Sequence, residues 1–75
     1  MRVEYEVIIR EINSMGYIVR NVSLMKTSQK QRAIRYFHEK VASMSYLLNN
    51  GTEIMVVKHN GDDRFDIIRK TKGSN

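Results

Sequence analysis

The stretch Glu4-Tyr5-Glu6-Val7-Ile8-Ile9-Arg10-Glu11-Ile12-Asn13-Ser14-Met15-Gly16 decides the fold, because it can be read in two periods. Tyr5, Ile8, Ile9, Ile12 and Met15 fall at i, i+3, i+4, i+7 and i+10, which is one face of a helix. Glu4 and Glu6 would sit in its first turn, where the helix dipole favours anions. Glu6 and Arg10 would form an i, i+4 pair. Gly16 would take the left-handed position that ends helices. In the alternative, Val3, Tyr5, Val7 and Ile9 alternate along a strand that turns at residues 13–16. That alternation breaks at Glu11 and leaves Ile8 and Ile12 on the polar side. The helix is therefore the expectation for residues 4–15, although no Ser, Thr, Asp or Asn precedes it as an N-cap.

The rest of the chain is less divided. Residues 17–25 (YIVRNVSLM) alternate and are β-branched, as in a strand buried on one side. Ile18, Val22 and Leu24 share one face with Arg20. A long helix follows. Ser28 and Gln31 make a capping-box pattern, and Ile34, Phe37, Val41, Met44 and Leu48, with Leu47 beside them, form its apolar stripe. Asn49, Asn50 and Gly51 end it, so a helix from Ser28 to Asn49 would be about 33 Å long. Asn60-Gly61 is a strong hairpin signal between Glu53–His59 and Arg64–Arg69. A two-residue loop would pair Ile54 with Ile67 and Val56 with Phe65, and a longer loop through Asp62-Asp63 would shift that register. The expected fold is α+β: a small three-stranded antiparallel sheet packed on one long central helix, in the order αβαββ, with ββαββ as the alternative. Residues 1–69 form a single domain and residues 70–75 a flexible basic tail.

With 75 residues and no cysteine, the chain has one small core and no disulfide or thiolate metal site. A core of this size supplies about 3–5 kcal/mol, which favours a homodimer or a partner that completes it. No apolar run reaches the roughly 20 residues of a membrane span, and two early acidic residues without an apolar segment do not fit a signal peptide. The expectation is a cytoplasmic protein without membrane contact.

The net charge of +5 is uneven. Residues 26–40 hold five cations (Lys26, Lys30, Arg32, Arg35 and Lys40) against Glu39 alone, a net +4. A localised basic helix points to a negatively charged partner, a nucleic acid (DNA or RNA) or an acidic protein surface. Lys26, Ser28 and Lys30 surround the free N–H groups of a helix start, which can bind phosphate. Arg32 and Arg35 lie off the core stripe, and Tyr36 beside them is a candidate to stack on a base. Arg64, Arg69, Lys70 and Lys72 form a second basic group, which joins the first if the tail lies near the helix start. Met55, Val57 and Ile68 would share the sheet's other face and, if left uncovered, mark a protein interface.

No catalytic signature is present: no glycine-rich phosphate loop, GxSxG or paired-carboxylate motif. The segment His59-Asn60-Gly61-Asp62-Asp63 is explained by turn chemistry better than by metal binding. No cofactor or metal is expected. No aromatic strand pattern marks an RRM and no GxxG loop a KH domain. The expected function is a small non-catalytic nucleic-acid-binding regulatory protein. Residues 17–59 also resemble the Dmd antitoxin family of T-even phages. The resemblance lies in a strand ending Leu24-Met25-Lys26, one long helix containing Tyr36, and a following strand. It covers just over half of the chain. The C-terminal hairpin and the basic helix start depart from the family's layout. The resemblance implies a non-enzymatic inhibitor that binds and blocks a host ribonuclease toxin, and it assigns no binding residues here.

Overall fold

The structure is a computed structural model, and it describes residues 3–45, 51–61 and 64–71. The elements are β1 (Glu4–Ile12), β2 (Ile18–Thr27), α1 (Lys30–Ser43), β3 (Thr52–His59) and β4 (Phe65–Lys70). They form one four-stranded sheet of order β2-β1-β3-β4, antiparallel at every junction. The expected three-stranded sheet with αβαββ order is thus corrected: residues 4–12 are a strand, the order is ββαββ, and α1 is the one helix among the described residues.

The reason lies in where β1 sits. It is a central strand, paired with β2 on one edge and β3 on the other, and a central strand can be apolar on both faces. Tyr5, Val7 and Ile9 face α1. Glu6, Ile8 and Arg10 face the other way and pair with Val57, Met55 and Glu53. Ile8, on the polar side of a strict alternation, is thus accommodated by the second face of the sheet, while Glu11 stays on the side of Ile9 and pairs with Arg20 at 3.9 Å. Five of the nine residues of β1 are β-branched or aromatic, which favours the pleated conformation. Gly16 does adopt positive φ, but in the β1–β2 turn rather than after a helix. Asn13 organises that turn: its Oδ1 accepts from the N–H groups of Met15 at 2.9 Å and Tyr17 at 3.0 Å.

α1 lies over β1 and buries Ala33 and Phe37 against Val7, Ile54 and Val56. Its 14 residues span about 21 Å at 1.5 Å per residue, shorter than the expected reach from Ser28. The capping box of Ser28 and Gln31 does not form. Gln29 is the N-cap without a side-chain bond, and Thr27 Oγ1 accepts from the Gln29 N–H at 3.1 Å. The expected helix to Asn49 is also cut short: α1 ends at Ser43, and Met44 is its C-cap, with its N–H donating to the Lys40 carbonyl at 2.8 Å. Leu47, Leu48 and Asn49 lie outside the described residues.

The β3–β4 register also differs from the expected one. Val57 pairs with Ile67 and His59 with Phe65, because the connection is longer than two residues: the Asn60 N–H donates to the Arg64 carbonyl at 3.0 Å. Asp62 and Asp63 lie outside the described residues. This register puts Phe65 on the face away from α1, more than half exposed, rather than in the core. A bulge at Ile68 turns that residue to the helix side, where it packs on the core. Met55 and Val57 are fully buried on the opposite face. The expected exposed strip of Met55, Val57 and Ile68 therefore does not exist as one surface. At the strand's end, Lys70 belongs to β4, and Thr71 exchanges backbone and side-chain hydrogen bonds with Ile54, so the tail is anchored at least this far. Residues 72–75 lie outside the described residues.

Two glycines provide a test. Gly51 and Gly16 both have positive φ (82° and 86°). A Cβ on Gly51 would stand 2.5 Å from the Ile12 carbonyl oxygen, whereas one on Gly16 meets nothing within 4 Å. Gly51 O also accepts the Ile12 N–H at 2.8 Å, so the backbones cannot separate without losing that bond. Gly16→Ala should cost about 1–2 kcal/mol from the left-handed backbone alone, and Gly51→Ala about 1–3 kcal/mol more from the clash. Urea unfolding of both variants checks the difference, and equal midpoints would contradict this placement of Gly51.

Candidate nucleic-acid interface

The cations named from sequence are dispersed by the fold. Lys26 lies at the end of β2, paired with Glu6, so it belongs to the face away from α1. Lys30, Arg32 and Arg35 are exposed on α1. Arg64 sits in the β3–β4 turn. Arg69 is exposed, with its guanidinium donating to the neighbouring Ile68 carbonyl at 3.0 Å. Lys70 is ion-paired with Glu53 at 3.4 Å. Lys72 lies outside the described residues.

The described members of the two basic groups do not merge. The helix start follows Thr27 of β2, and the second group lies on or beside β4. These are the two edges of the sheet, three strand spacings or about 14 Å apart. Arg69 pairs with Val56 and Lys70 with Met55, two and three residues along from the rung Thr27–Tyr5–Lys58–Asp66, while Arg64 stays at the same end of the sheet as the helix start.

What α1 does assemble is a cleft. Arg32, Arg35, Tyr36 and Glu39 fall at i, i+3, i+4 and i+7, and so share one side of the helix. With Met25 of β2 they line an open cavity of about 290 Å³. Met25 and Tyr36 are half-buried and also pack on the core, so the wall they make is fixed. The Lys40 ammonium stands 5.4 Å from the Tyr36 ring centroid. Among the described residues, Arg32, Arg35 and Glu39 form no ion pair with any neighbour. The start of α1 has no acidic residue in its first turn and no side-chain cap, so its N–H groups and Lys30 present uncompensated positive charge.

The opposite face carries a network that sequence reading missed. Glu6 is buried, and its Oε1 lies 2.8 Å from His59 Nε2. Burial pushes the Glu6 carboxyl up, but hydrogen bonding from Ser23 and His59 and the charges of Lys26 and His59 outweigh it, so the group titrates below its ordinary value of 4.5. Glu53, also buried, lies between Arg10 Nη1 at 3.9 Å and Lys70 Nζ at 3.4 Å. Residues 6 and 59 are 53 positions apart, so no local spacing could signal their pairing.

Comparison with known proteins finds no match: no family model, curated protein or solved structure is similar to this chain. Among the described residues, no helix is long and apolar enough to cross a membrane.

The Glu6 network sets a pH dependence. A carboxyl whose folded value is depressed contributes stability above its unfolded value, and loses it as pH falls through the folded one. Stability should therefore decline below about pH 4.5. Glu6→Gln should lower stability at pH 7 by about 1–3 kcal/mol, as for loss of a charge-assisted bond, and should flatten the acid limb. Urea midpoints of both proteins between pH 3 and 7 check this. Parallel curves would exclude Glu6 as the group responsible.

Proposed function

We propose that this chain is a small, non-catalytic, cytoplasmic nucleic-acid-binding regulatory protein, and that it binds through the side of α1 that carries Arg32, Arg35 and Tyr36. The observation that supports it most is the pairing pattern. Four of the described acidic residues (Glu6, Glu11, Glu53 and Asp66) are engaged by polar or cationic partners, while Arg32 and Arg35 are exposed without ion pairs beside a half-buried aromatic ring. Lys30 and the uncapped start of α1 add donors for phosphate. Phosphate contacts of this kind give affinity without sequence information. Lys26 and Lys70, turned to the other face and set beside Glu6 and Glu53, are outside this surface.

A second reading, a protein inhibitor of the kind the antitoxin resemblance implies, is favoured by a different observation. Met15, Tyr17, Ile18 and Val19 are exposed together at the β1–β2 turn and along the start of β2, an edge strand. Exposed apolar residues on an unpaired edge suit addition of a partner's strand.

The Arg32→Ala/Arg35→Ala double variant separates the two. Both side chains are exposed, so the fold should persist. Binding to single-stranded RNA, single-stranded DNA and duplex DNA is measured by fluorescence anisotropy between about 50 and 200 mM salt, a range over which phosphate contacts lose affinity steeply. The double variant should bind every sequence more weakly, and its log–log salt slope should shrink by about one to two. Unchanged binding would remove α1 as the site. Absence of binding by the parent at low salt would leave the inhibitor reading in first place.

A further inference from the structure

We infer that the cleft between α1 and Met25 selects an unpaired guanine. The inference rests on the nucleic-acid reading above and names the base that its central site takes.

The lining of the cleft is chemically mixed in a way that phosphate binding does not require. Arg32 and Arg35 are donors only, Glu39 is an acceptor only, and Met25 and Tyr36, whose ring also carries the Lys40 ammonium at 5.4 Å, form the wall. A site built for phosphate alone gains nothing from a carboxylate, which repels the ligand. Glu39 is the one acid in the basic segment 26–40, and it lies one helical turn from Arg35 without pairing to it. An aromatic wall flanked by a donor set and an acceptor set matches a nucleobase, because stacking is sequence-tolerant while edge contacts discriminate. A volume of about 290 Å³ is at the floor of the roughly 300–1,000 Å³ range of ligand pockets, a size suited to a single base.

Guanine is the base whose edges fit. Its N1–H and N2–H2 are adjacent donors, and they match the two oxygens of a carboxylate. Its O6 and N7 are adjacent acceptors on the next edge, and they match a guanidinium in the commonest specific contact to this base. Adenine, cytosine and uracil each place an acceptor beside their donor, so Glu39 would face an oxygen or nitrogen lone pair and lose a bond rather than gain one. In a duplex, N1 and N2 of guanine are already paired with cytosine, so the base must be single-stranded. Arg35, one turn from Glu39, is set to take O6 and N7. Arg32, nearer the helix start and Lys30, stays with the backbone phosphates.

The test is anisotropy binding of short oligouridine RNAs carrying one central guanine, inosine or adenine, with the full chain. Inosine keeps O6, N7 and N1–H and lacks only the N2 amino group. Guanine should bind at least about tenfold tighter than adenine, which loses the whole bidentate contact, and about tenfold tighter than inosine, which loses one hydrogen bond to a charged acceptor. In the Glu39→Gln variant, whose exposed site keeps its shape, the guanine-to-inosine ratio should fall to near one. Annealing a complementary strand should abolish the preference. Equal affinity for guanine and inosine in the parent, with binding that still falls with salt, would overturn the guanine inference and leave the phosphate reading intact. Absence of binding to every strand at low salt would remove both.

Discussion

The structure depends on the double pairing of β1. Both of its backbone edges are used, by β2 on one side and β3 on the other, each antiparallel. β2 and β3 must then run parallel to each other with β1 between them, and parallel strands cannot be joined by a tight turn. The connection has to cross the sheet, and α1 is that crossing. Its position over β1, the burial of Ala33 and Phe37 on Val7, and the placement of its polar side beside Met25 all follow. If β1 were a helix, this crossing would have no strand beneath it.

The same constraint explains the charged face. A central strand offers no solvent edge, so Glu6 and Arg10 of β1 must find partners on neighbouring strands. They find His59 and Glu53 on β3. Such pairs are costly to bury and contribute little net stability, but losing one member leaves an uncompensated charge. Arg10 Nε and Glu53 Oε1 are buried without a hydrogen-bond partner, so this pair is held by charge more than by hydrogen bonds. It serves register better than stability, since a slip of one residue would put both charges into the core under α1.

The candidate site is a by-product of this frame. The helix start was legible from sequence as a basic segment, and Arg32, Arg35 and Tyr36 were legible as neighbours by helical spacing. Met25 as the opposite wall was not, because a bulge at Leu24 turns it to the helix side. Glu39 was visible only as a minority charge, and its place among the cations became chemical information once the cleft was assembled. The tail cations were legible as charge, but their distance from the helix start depends on the place of β4 in the sheet.

The sequence by itself determined the α+β class, most of the strand expected at residues 17–25, the existence of the helix with Phe37, Val41 and Met44 on its core side, and the hairpin around Asn60-Gly61. Each rests on local periodicity or turn chemistry within a dozen residues. Tertiary structure decided the state of residues 4–12, the β3–β4 register and the sorting of cations between two faces. Residues 4–12 fit the helical period better than the strand alternation, so the strand was decided by interactions the segment cannot display alone: two ladders of backbone hydrogen bonds, and partners such as His59 that lie 53 residues away. Local preference is weak where long-range pairing is available on both sides, and there the sheet overrides the helical pattern.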